Sequence, residues 1–418
     1  MNKINYKSVP IKRIGKVVTG KTPATAHKEF YDGQYMFISP TELHGGYFVK
    51  KSEKTLTEAG LKSVKSNSID GTSILVGCIG WDMGNVAMCN EKCATNQQIN
   101  SITEIKEEYN PYYVYYWLCG KKEYLFSIAS VTRTPILSKS VFEEVLVPLP
   151  EKKQQDNVVN ILLRIDKKIA LNEQINDNLA YQLKDIYNYW FNQFDFPHND
   201  KHQYKADGGL MIWNDKIKCK IPAGWEIKSF GELCSLRNGI NYDKSVEGDK
   251  MYRIINVRNI SSSDLILNEN DLDEISLPQK QGNKYCVSEN SIIVARSGIP
   301  GATRILQKPS SNIIFCGFII CCTPCDDIYK YYLMFYLKQL EGSAATKTGG
   351  SILQNVSQDT LSNLPVPIPP QSLLREFNQI VSQSLELIHS NMQENTQLLK
   401  LRDWLLPMLM NGQATISD

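Results

Sequence analysis

The sequence predicts an α+β protein with two similar globular domains of mixed α/β structure, each followed by a long helix. The two helices are expected to pair with each other as an antiparallel coiled coil within the chain. Two observations lead to this fold class: the chain repeats its motifs at a constant spacing, and each repeat ends in a long stretch with heptad spacing. A length of 418 residues is sufficient for two such domains.

The repeat is clearest in two pairs of motifs. Val147–Pro150 and Val366–Pro369 both read Val-Pro-[Leu/Ile]-Pro and lie 219 residues apart (366 − 147). An aromatic stretch at Tyr112–Leu118 recurs at Tyr331–Leu337 with the same offset (331 − 112). Proline favours an extended residue before it and fixes the entry to a following helix. Each repeat is therefore a globular part, a proline corner and a helix. The predicted sections of the chain are, in order, 1–150 (first globular domain), 151–196 (first long helix), 197–222 (linker), 223–369 (second globular domain), 370–411 (second long helix) and 412–418 (tail).

The globular parts contain short apolar runs of the kind found in buried strands, and aromatic stretches that follow a helix-capping residue. Asn110 and Pro111 precede the first aromatic stretch, and Asp326 and Asp327 precede the second, so both stretches are predicted to be helices. The runs predicted as strands are Tyr35–Ile38, Ser73–Cys78, Ile292–Ala295 and Ile313–Cys322.

The two long helices carry the alternating steps of four and three residues that define the contact positions of a coiled coil. Between these positions, charged residues such as Arg164, Asp166 and Lys167 are predicted on solvated flanks. In the first helix the contact positions are Val158, Leu162, Ile165, Ile169, Asn172, Asn176, Leu179, Leu183, Ile186 and Trp190. In the second they are Phe377, Val381, Ser384, Ile388, Asn391, Asn395, Leu398, Leu401 or Arg402, Leu405 and Leu409.

Both helices interrupt the apolar positions with two asparagines four residues apart. A buried asparagine lowers stability but fixes the register of a coiled coil. One antiparallel register places Asn172 opposite Asn395 and Asn176 opposite Asn391, and we expect this pairing. The alternative is a pair of amphipathic helices that pack on separate domains.

Composition excludes some functional classes. No apolar run approaches the ~18–20 residues of a membrane span, and Met1–Lys7 lacks a signal-peptide pattern. Eleven cysteines, many within apolar runs, favour reduced thiols and a cytoplasmic location. The net charge of +2 does not by itself indicate a nucleic-acid partner.

Gly15–Thr22 reads G-x-x-x-x-G-K-T, the pattern of a phosphate-binding loop. Such a loop requires a buried strand before it and a helix directly after it. The preceding Lys7–Ile14 alternates and is basic, and Pro23 follows at once. We therefore interpret the motif as a surface turn in which Lys21 and Thr22 contact an anion. A P-loop nucleotide-hydrolysing enzyme remains the less favoured alternative.

Two further motifs have structural interpretations. Asn110–Tyr113 resembles the Asn-Pro-Pro-Tyr motif of amino-methyltransferases, but it lacks the second proline and fits a helix cap better. Cys89/Cys93 and Cys322/Cys325 have the short spacing of zinc ligands, but no histidine lies nearby at a suitable spacing, so no metal site is predicted. No catalytic constellation emerges, and the chain is predicted not to be an enzyme.

What remains is a set of polar loop tips at matching places in the two repeats. Arginine and asparagine read guanine and adenine edges bidentately, whereas lysine, serine and threonine hold phosphates. The alternative for each tip, taken singly, is an ordinary exposed polar loop. As a hypothesis, we assign Lys21, Thr22 and Arg133 to a first DNA-reading surface and Arg237, Asn238 and Asn241 to a second. The full set of candidate DNA-binding residues is Lys21, Thr22, Trp81, Thr132, Arg133, Thr134, Arg237, Asn238, Asn241, Tyr242, Arg296, Ser297, Lys347 and Thr348.

The whole chain resembles the specificity subunit of type I restriction-modification systems. Several short sequence motifs carry this resemblance. Their order along two repeated domain-plus-helix units is more specific for the family than any single motif. The residues that carry the resemblance are Val147–Pro150, Val366–Pro370, Thr132–Leu137, Tyr189–Phe196, Ile221–Glu226 and Leu405–Gly412.

This resemblance implies that each globular part is a target recognition domain and that the helices form a spacer. The target would be duplex DNA with two short defined blocks around a fixed gap, methylated on adenine in each block. Two methyltransferase (modification) subunits carrying S-adenosylmethionine would dock on the chain, and restriction subunits that consume ATP would join through them. The chain itself would bind no cofactor.

The repeat leads to a similar geometry. A run of about 41 residues at about 1.5 Å each is a rod of roughly 60 Å, which suits two half-sites about one DNA turn of ~34 Å apart. The loops of the two domains differ, so the half-sites should differ in sequence. A coiled-coil adapter without nucleic acid is the remaining alternative.

Overall fold

The computed structural model describes residues 6–44, 46–131, 133–198, 202–242, 248–341, 356–411 and 413. Contacts divide the chain into two units: Met1–Ala170 with Thr396–Asp418 (unit 1), and Leu171–Asn395 (unit 2). Each long helix is thus shared between the units. The section boundaries expected at 150, 196, 222 and 369 stay predictions.

The globular part of unit 1 is built from short strands and short helices. Its strands are β1 (Lys7–Pro10), β2 (Lys16–Thr19), β3 (Tyr31–Ile38), β4 (Lys54–Leu56), β5 (Ser68–Ile69), β6 (Ser73–Gly77), β7 (Val86–Cys89), β8 (Cys93–Thr95), β9 (Ile99–Thr103), β10 (Ser130–Val131), β11 (Pro135–Ile136) and β12 (Leu146–Leu149). Its helices are α1 (Ile11–Ile14), α2 (Glu58–Ser63), α3 (Pro111–Cys119), α4 (Lys122–Ser127) and α5 (Lys139–Glu143).

Two four-stranded sheets organise this part. One has the antiparallel order β2-β9-β6-β7, and the other has the order β4-β3-β8-β5, with β3 and β8 parallel. The aromatic helix α3 packs into the largest apolar core of the unit together with the first sheet. Asn110 caps α3, because its side chain accepts from the amides of Tyr112 and Tyr113 and Pro111 begins the helix.

Unit 2 contains a similar series of strands and short helices, preceded by the additional strands β13–β16, which lie within residues 197–222. Its strands are β13 (Pro197–His198), β14 (His202–Gln203), β15 (Met211–Asn214), β16 (Cys219–Pro222), β17 (Glu226–Ser229), β18 (Cys234–Asn238), β19 (Lys250–Ile255), β20 (Asp273–Leu277), β21 (Ile292–Ala295), β22 (Thr303–Ile305), β23 (Ile313–Phe315), β24 (Ile319–Pro324) and β25 (Pro365–Ile368). Its short helices are α7 (Phe230–Leu233), α8 (Val257–Ser261), α9 (Gln279–Gly282), α10 (Lys330–Leu340) and α11 (Gln358–Ser362).

The sheet orders show that the two units share a topology. The antiparallel order β18-β24-β21-β22 matches β2-β9-β6-β7, and β20-β19-β23 matches β4-β3-β8. β17 pairs with β25 as β1 pairs with β12, and the partners Lys7–Leu149 and Glu226–Ile368 differ by the same offset of 219 residues (226 − 7, 368 − 149). One expected strand is two: Ile313–Cys322 is broken by a tight turn at Cys316–Phe318.

The long helices are α6 (Lys152–Tyr187), which continues as a π-helical turn at Asn188–Asn192, and α12 (Gln371–Met410). At about 1.5 Å per residue, the 36 residues of α6 span roughly 54 Å. The two helices run antiparallel within each unit. In unit 1, Val158 and Leu162 share a core with Leu409, while Asp166 is bonded to Arg402.

Asparagine pairs lie between the helices in unit 2. Asn172 donates to Asn395 at 2.8 Å and Asn391 donates to Asn176 at 2.9 Å, which are the two pairs of the expected register. The α+β fold class with an antiparallel helix pair is confirmed.

Two details of the helix contacts differ from the sequence analysis, and one alternative is resolved. Leu385 is fully buried where Ser384 was expected to be in contact. Arg402 is at the contact position that it shared with Leu401 as an alternative. Asp166, expected on a solvated flank, is only 3% exposed, because Arg402 and Tyr116 both donate to its carboxylate.

The described residues of the linker expected at 197–222 belong to unit 2. They include two antiparallel strand pairs, β13–β14 and β15–β16. Phe194, Phe196 and Ile221 are buried in the core of the unit, and Phe196 stacks on Trp225. Phe194 and Phe196 belong to the section expected as the first long helix (151–196), and Ile221 lies within the polar, glycine-bearing linker, where a buried anchor was not expected.

Within the described ranges, no helix is long and apolar enough to cross a membrane. None of the eleven cysteines forms a disulfide. The Sγ atoms of Cys89 and Cys93 lie 3.6 Å apart in the core, and no cluster of potential metal ligands occurs among the described residues.

Candidate nucleic-acid interface

One edge of the four-stranded sheet in unit 1 carries most of its candidate residues. Strands β2 and β6 end at this edge and β9 begins there. Gly20 follows β2 and donates its amide to Ile99 O. A Cβ atom at Gly20 would lie 2.1 Å from Asn96 O, so only glycine fits beside the turn that leads into β9. The next residue, Lys21, is exposed, and Thr22 Oγ1 donates to Gln97 Oε1 at 2.7 Å.

The same geometry explains the G-x-x-x-x-G-K-T pattern. Strand β2 occupies the interior of Gly15–Thr22, where a phosphate-binding loop would be open, and no helix begins at Lys21 or Thr22. Gly20 is required because the backbone at this position lies close to the carbonyl oxygen of Asn96. Phosphate cradling by this motif is therefore not supported.

The second candidate group of unit 1 lies at the end of β6. Gly80 has a φ of 103° and donates to Pro135 O, which joins this turn to the β10–β11 hairpin. Trp81 is 71% exposed, and its ring lies 6.1 Å from that of Phe126. Arg133 and Thr134 are exposed in the hairpin tip, whereas Thr132 lies outside the described residues.

Two titratable groups at this edge have shifted pKa values. Lys122 donates to Asp82, which keeps the pKa of that carboxyl below its usual range. Burial raises the pKa of the Cys78 thiol to about 12, so this cysteine remains a neutral thiol at pH 7. Neither group is arranged as a catalytic acid or nucleophile.

The corresponding edge of unit 2 is built in the same way. Gly239 donates to Ile319 O, and a Cβ atom there would lie 2.0 Å from Cys316 O. Asn238 ends β18 with an exposed side chain, and the exposed Asn241 is packed on Gly317. Tyr242 is half-buried against the core formed by both sheets.

Arginine 296 completes this edge. Its amide donates to Phe318 O at 2.9 Å, and its Nη1 donates to Gly317 O at 3.2 Å. Ser297 follows it and is half-buried. Lys347 and Thr348, the remaining candidates of the second repeat, lie outside the described residues.

Arg237 differs from the other candidates. Its guanidinium donates to Lys284 O at 2.8 Å and to Cys286 O at 3.2 Å, and it lies over the ring of Phe315. These contacts tie β18 to the segment before β21. In this conformation the two donor nitrogens are engaged with backbone carbonyls, so Arg237 is not brought together with Asn241 and Arg296.

The structure adds residues that sequence reasoning missed. Gln97 and Gln98 form the turn before β9, and Gly317 and Phe318 form the equivalent turn before β24. Phe318 is 63% exposed, on a turn whose backbone is contacted by Arg296 and Asn241. The sequence contained a signal for this turn, because Gly317 interrupts an apolar run and a glycine there indicates a turn. The 219-residue offset makes this turn equivalent to Gln97 and Gln98 to within one residue.

Comparison with known proteins follows the same two-part division. The family model described as type I restriction modification DNA specificity domain matches residues 3–181 and 222–399. The chain is similar to the type I restriction enzyme MjaIX specificity subunit of Methanocaldococcus jannaschii, with 26% identity over 98% of this chain and 93% of the relative. It is also similar to the HindI specificity subunit of Haemophilus influenzae, with 24% identity over 69% of this chain and 74% of that relative.

A solved structure has the same fold. The S subunit of a type I restriction-modification system from M. genitalium matches with a TM-score of 0.52 and 16% identity, covering 98% of this chain and 97% of that one. The two matches to the family model together cover most of the chain. The chain therefore belongs to the type I restriction-modification DNA specificity family, which confirms the resemblance in its motifs and the predicted role of a non-catalytic subunit that recognises DNA.

Proposed function

We propose that this chain reads a bipartite duplex target, with one unit on each of two unlike blocks separated by a fixed gap. The observation that supports this most directly is the pair of equivalent sheet edges. Each edge is framed by the same glycine contact, at Gly20 and at Gly239, yet presents different side chains. Two domains that recognise different DNA sequences require the same backbone arrangement with different polar side chains at the contact surface.

The first reader is proposed to use Lys21, Thr22, Trp81 and the hairpin tip with Arg133 and Thr134. The second is proposed to use Asn238, Asn241, Tyr242, Arg296 and Ser297. Thr132, Lys347 and Thr348 stay predictions for the same surfaces. For Arg237, the two carbonyl contacts favour a role in holding β18 in place, and reading a base would require their release.

The long helices are proposed to set the gap between the blocks and to receive two methyltransferase subunits, with restriction subunits joining through these. S-adenosylmethionine and ATP are expected on those partners, and adenine is the expected methylation target. A cytoplasmic location is part of the same proposal and agrees with eleven cysteines without a disulfide. An adapter without DNA, or a P-loop enzyme, is not favoured by membership of a DNA specificity family.

A selection from random duplex DNA tests the proposal, using this chain in complex with its modification subunit. We expect two unlike short blocks at one fixed gap. Thr22→Ala and Asn241→Ala form a matched pair, because the Thr22 side chain contacts the turn before β9 and the Asn241 side chain contacts the equivalent turn before β24. Each should relax one block and leave the other unchanged. An intact complex that enriches no sequence would contradict the proposal.

A further inference from the structure

We infer that Phe318 is a specificity-determining residue of unit 2 that contacts the C5-methyl group of a thymine in the block read by this unit. The inference rests on the proposed function and names the base feature that one side chain reads.

Phe318 combines an exposed ring with a fixed backbone. The ring is 63% exposed, although phenylalanine is usually buried. Ile319 donates to Cys316 O and closes the turn at 3.0 Å, while Gly317 donates to Ile240 O at 2.8 Å. A side chain on a backbone held in this way loses little conformational freedom on binding, which favours a contact role.

Arg296 strengthens the same turn from the other side. It donates its amide to Phe318 O and its Nη1 to Gly317 O, so both carbonyls of the turn are occupied. Asn241 packs on Gly317, where a Cβ atom would lie 1.9 Å from Asn241 Oδ1. The turn that carries the exposed ring of Phe318 is therefore contacted by an arginine and by an asparagine.

The neighbours indicate what the ring would meet. Arginine and asparagine make their bidentate base contacts on the edges of guanine and adenine in the major groove. The apolar group that base pairs present in that groove is the thymine methyl, and phenylalanine is among the side chains that contact it. An exposed ring on a turn that Asn241 and Arg296 both contact thus fits a thymine within the second block.

Unit 1 has no apolar residue at the equivalent turn. Gln98 occupies that position, since Cys78 donates to Gln98 O as Arg296 donates to Phe318 O. The Gln98 side chain accepts from Asn96 Nδ2 at 3.0 Å. The thymine contact should therefore belong to one block alone, and Phe318→Gln is a substitution to the residue that the fold already carries in unit 1.

The test begins with the selected bipartite site and the complex with modification subunits. Each thymine of the site is replaced in turn by deoxyuridine, which removes the methyl group and keeps the base-pairing edge. We expect one replacement to weaken binding by wild-type protein roughly fourfold, the value for withdrawing one methyl-sized group from water. Phe318→Ala and Phe318→Gln should bind the thymine and deoxyuridine sites equally. Met251→Ala, another exposed apolar residue of unit 2, should retain the wild-type difference.

Several results would overturn the inference. One is a second block without any thymine on either strand, and another is a deoxyuridine effect that persists in both Phe318 variants. Equal weakening of all sequences by Phe318→Ala, without coupling to a thymine methyl, would instead indicate contact with the backbone or insertion between bases. Failure to select any block would remove the proposed function as well, and this result is distinguishable because it appears before any substitution is made.

Discussion

The two units place different chemistry at the same position of their helix pairs. In unit 1, Tyr116 donates to Asp166 at 2.6 Å and Arg402 donates to the same carboxylate at 3.2 Å. An offset of 219 residues places Phe335 and Leu385 at the positions of Tyr116 and Asp166, and Leu183 at the position of Arg402. Phe335, Leu385 and Leu183 all lie in the buried apolar core of unit 2. One fold therefore accommodates either a buried charged cluster or an apolar one.

The difference shows how the two helices are kept distinct. Buried ion pairs often add little to stability, whereas one member left without its partner is strongly destabilising. If α6 paired with a second copy of itself, Asp166 would meet Leu183 in place of Arg402. The charged cluster thus favours pairing of α6 with α12, just as the asparagine pairs Asn172–Asn395 and Asn176–Asn391 favour one register.

The largest effect is expected for Leu385→Asp, which places a carboxylate in the apolar cluster of unit 2. Leu385 is fully buried in an apolar core, so we expect a loss of about 4–5 kcal/mol or more. Hydrogen exchange of α10 amides would report the loss in unit 2 separately. Leu387→Asp, on the exposed face of the same helix, is the control and should change stability by about 0.5 kcal/mol or less. Equal effects of the two substitutions would contradict the assignment of the contact face.

A smaller loss is expected for Arg402→Leu in unit 1. The substitution leaves Asp166, 3% exposed, with Tyr116 as a donor but without its cation. We expect destabilisation by about 3 kcal/mol, the lower end for a broken buried pair, because the Arg402 side chain is itself 28% exposed. Hydrogen exchange of α3 amides measures it. Lys400→Leu, on an exposed position two residues away, should leave α3 protection unchanged.

Replacing both charged partners should restore most of that loss. Asp166→Leu with Arg402→Leu gives unit 1 the leucine pair of unit 2, and we expect stability within about 1.5 kcal/mol of wild type. Adding Tyr116→Phe, which removes a hydroxyl left without its acceptor, should improve it further. A double variant as unstable as Arg402→Leu alone would mean that the clusters are not interchangeable.

The smallest effect concerns pH and an ion pair near the end of each aromatic helix. In unit 2, Arg304 and Lys338 contact Glu341, whereas in unit 1 the Lys122–Asp82 pair is exposed on both sides. Burial acts to raise the pKa of Glu341, but hydrogen bonds from Arg304 and Lys338 outweigh it and lower this pKa. Since the folded pKa lies below the unfolded one, the stabilisation is present above the unfolded pKa of about 4.3 and disappears as the pH falls through the folded value.

Glu341→Gln should therefore flatten the decline in unit 2 stability between about pH 6 and pH 3, by roughly 1 kcal/mol or less. Urea unfolding at a series of pH values measures this slope. Glu274→Gln, at a carboxylate that is mostly exposed, is the control and should retain the wild-type slope. Parallel slopes for wild type and Glu341→Gln would contradict the contribution of this ion pair.

The repeat made the fold class predictable, because the 219-residue offset and the heptad spacing are properties of sequence alone. The buried ion pair between Asp166 and Arg402 was harder to predict. Asp166 lies between the contact residue Ile165 and the charged Lys167 in the sequence. Its burial depends on Arg402, which is 236 residues away. Periodicity cannot detect such a partner, and the shift from Ser384 to Leu385 has a similar cause in the packing of unit 2.

The positions of the candidate residues were predictable in part. Thr22 lies at the sheet edge of unit 1, and Asn241 and Arg296 lie at the equivalent edge of unit 2. Residue type and turn position had both indicated a loop tip. Arg237 was assigned from residue type alone, and its carbonyl partners at 284 and 286 come from a distant segment. Phe318 was overlooked because an apolar residue within an apolar run reads as core.

The pairing of the first and last strands has an evolutionary consequence. Lys7 lies opposite Leu149, and Glu226 lies opposite Ile368, so each recognition unit starts and finishes in one two-stranded ladder beside the entrance to a long helix. Genetic recombination with breakpoints in these strands would exchange an entire recognition unit and leave the helices intact. New target sequences are then accessible by exchanging gene segments between related loci, without the many intermediate substitutions that point mutation would require.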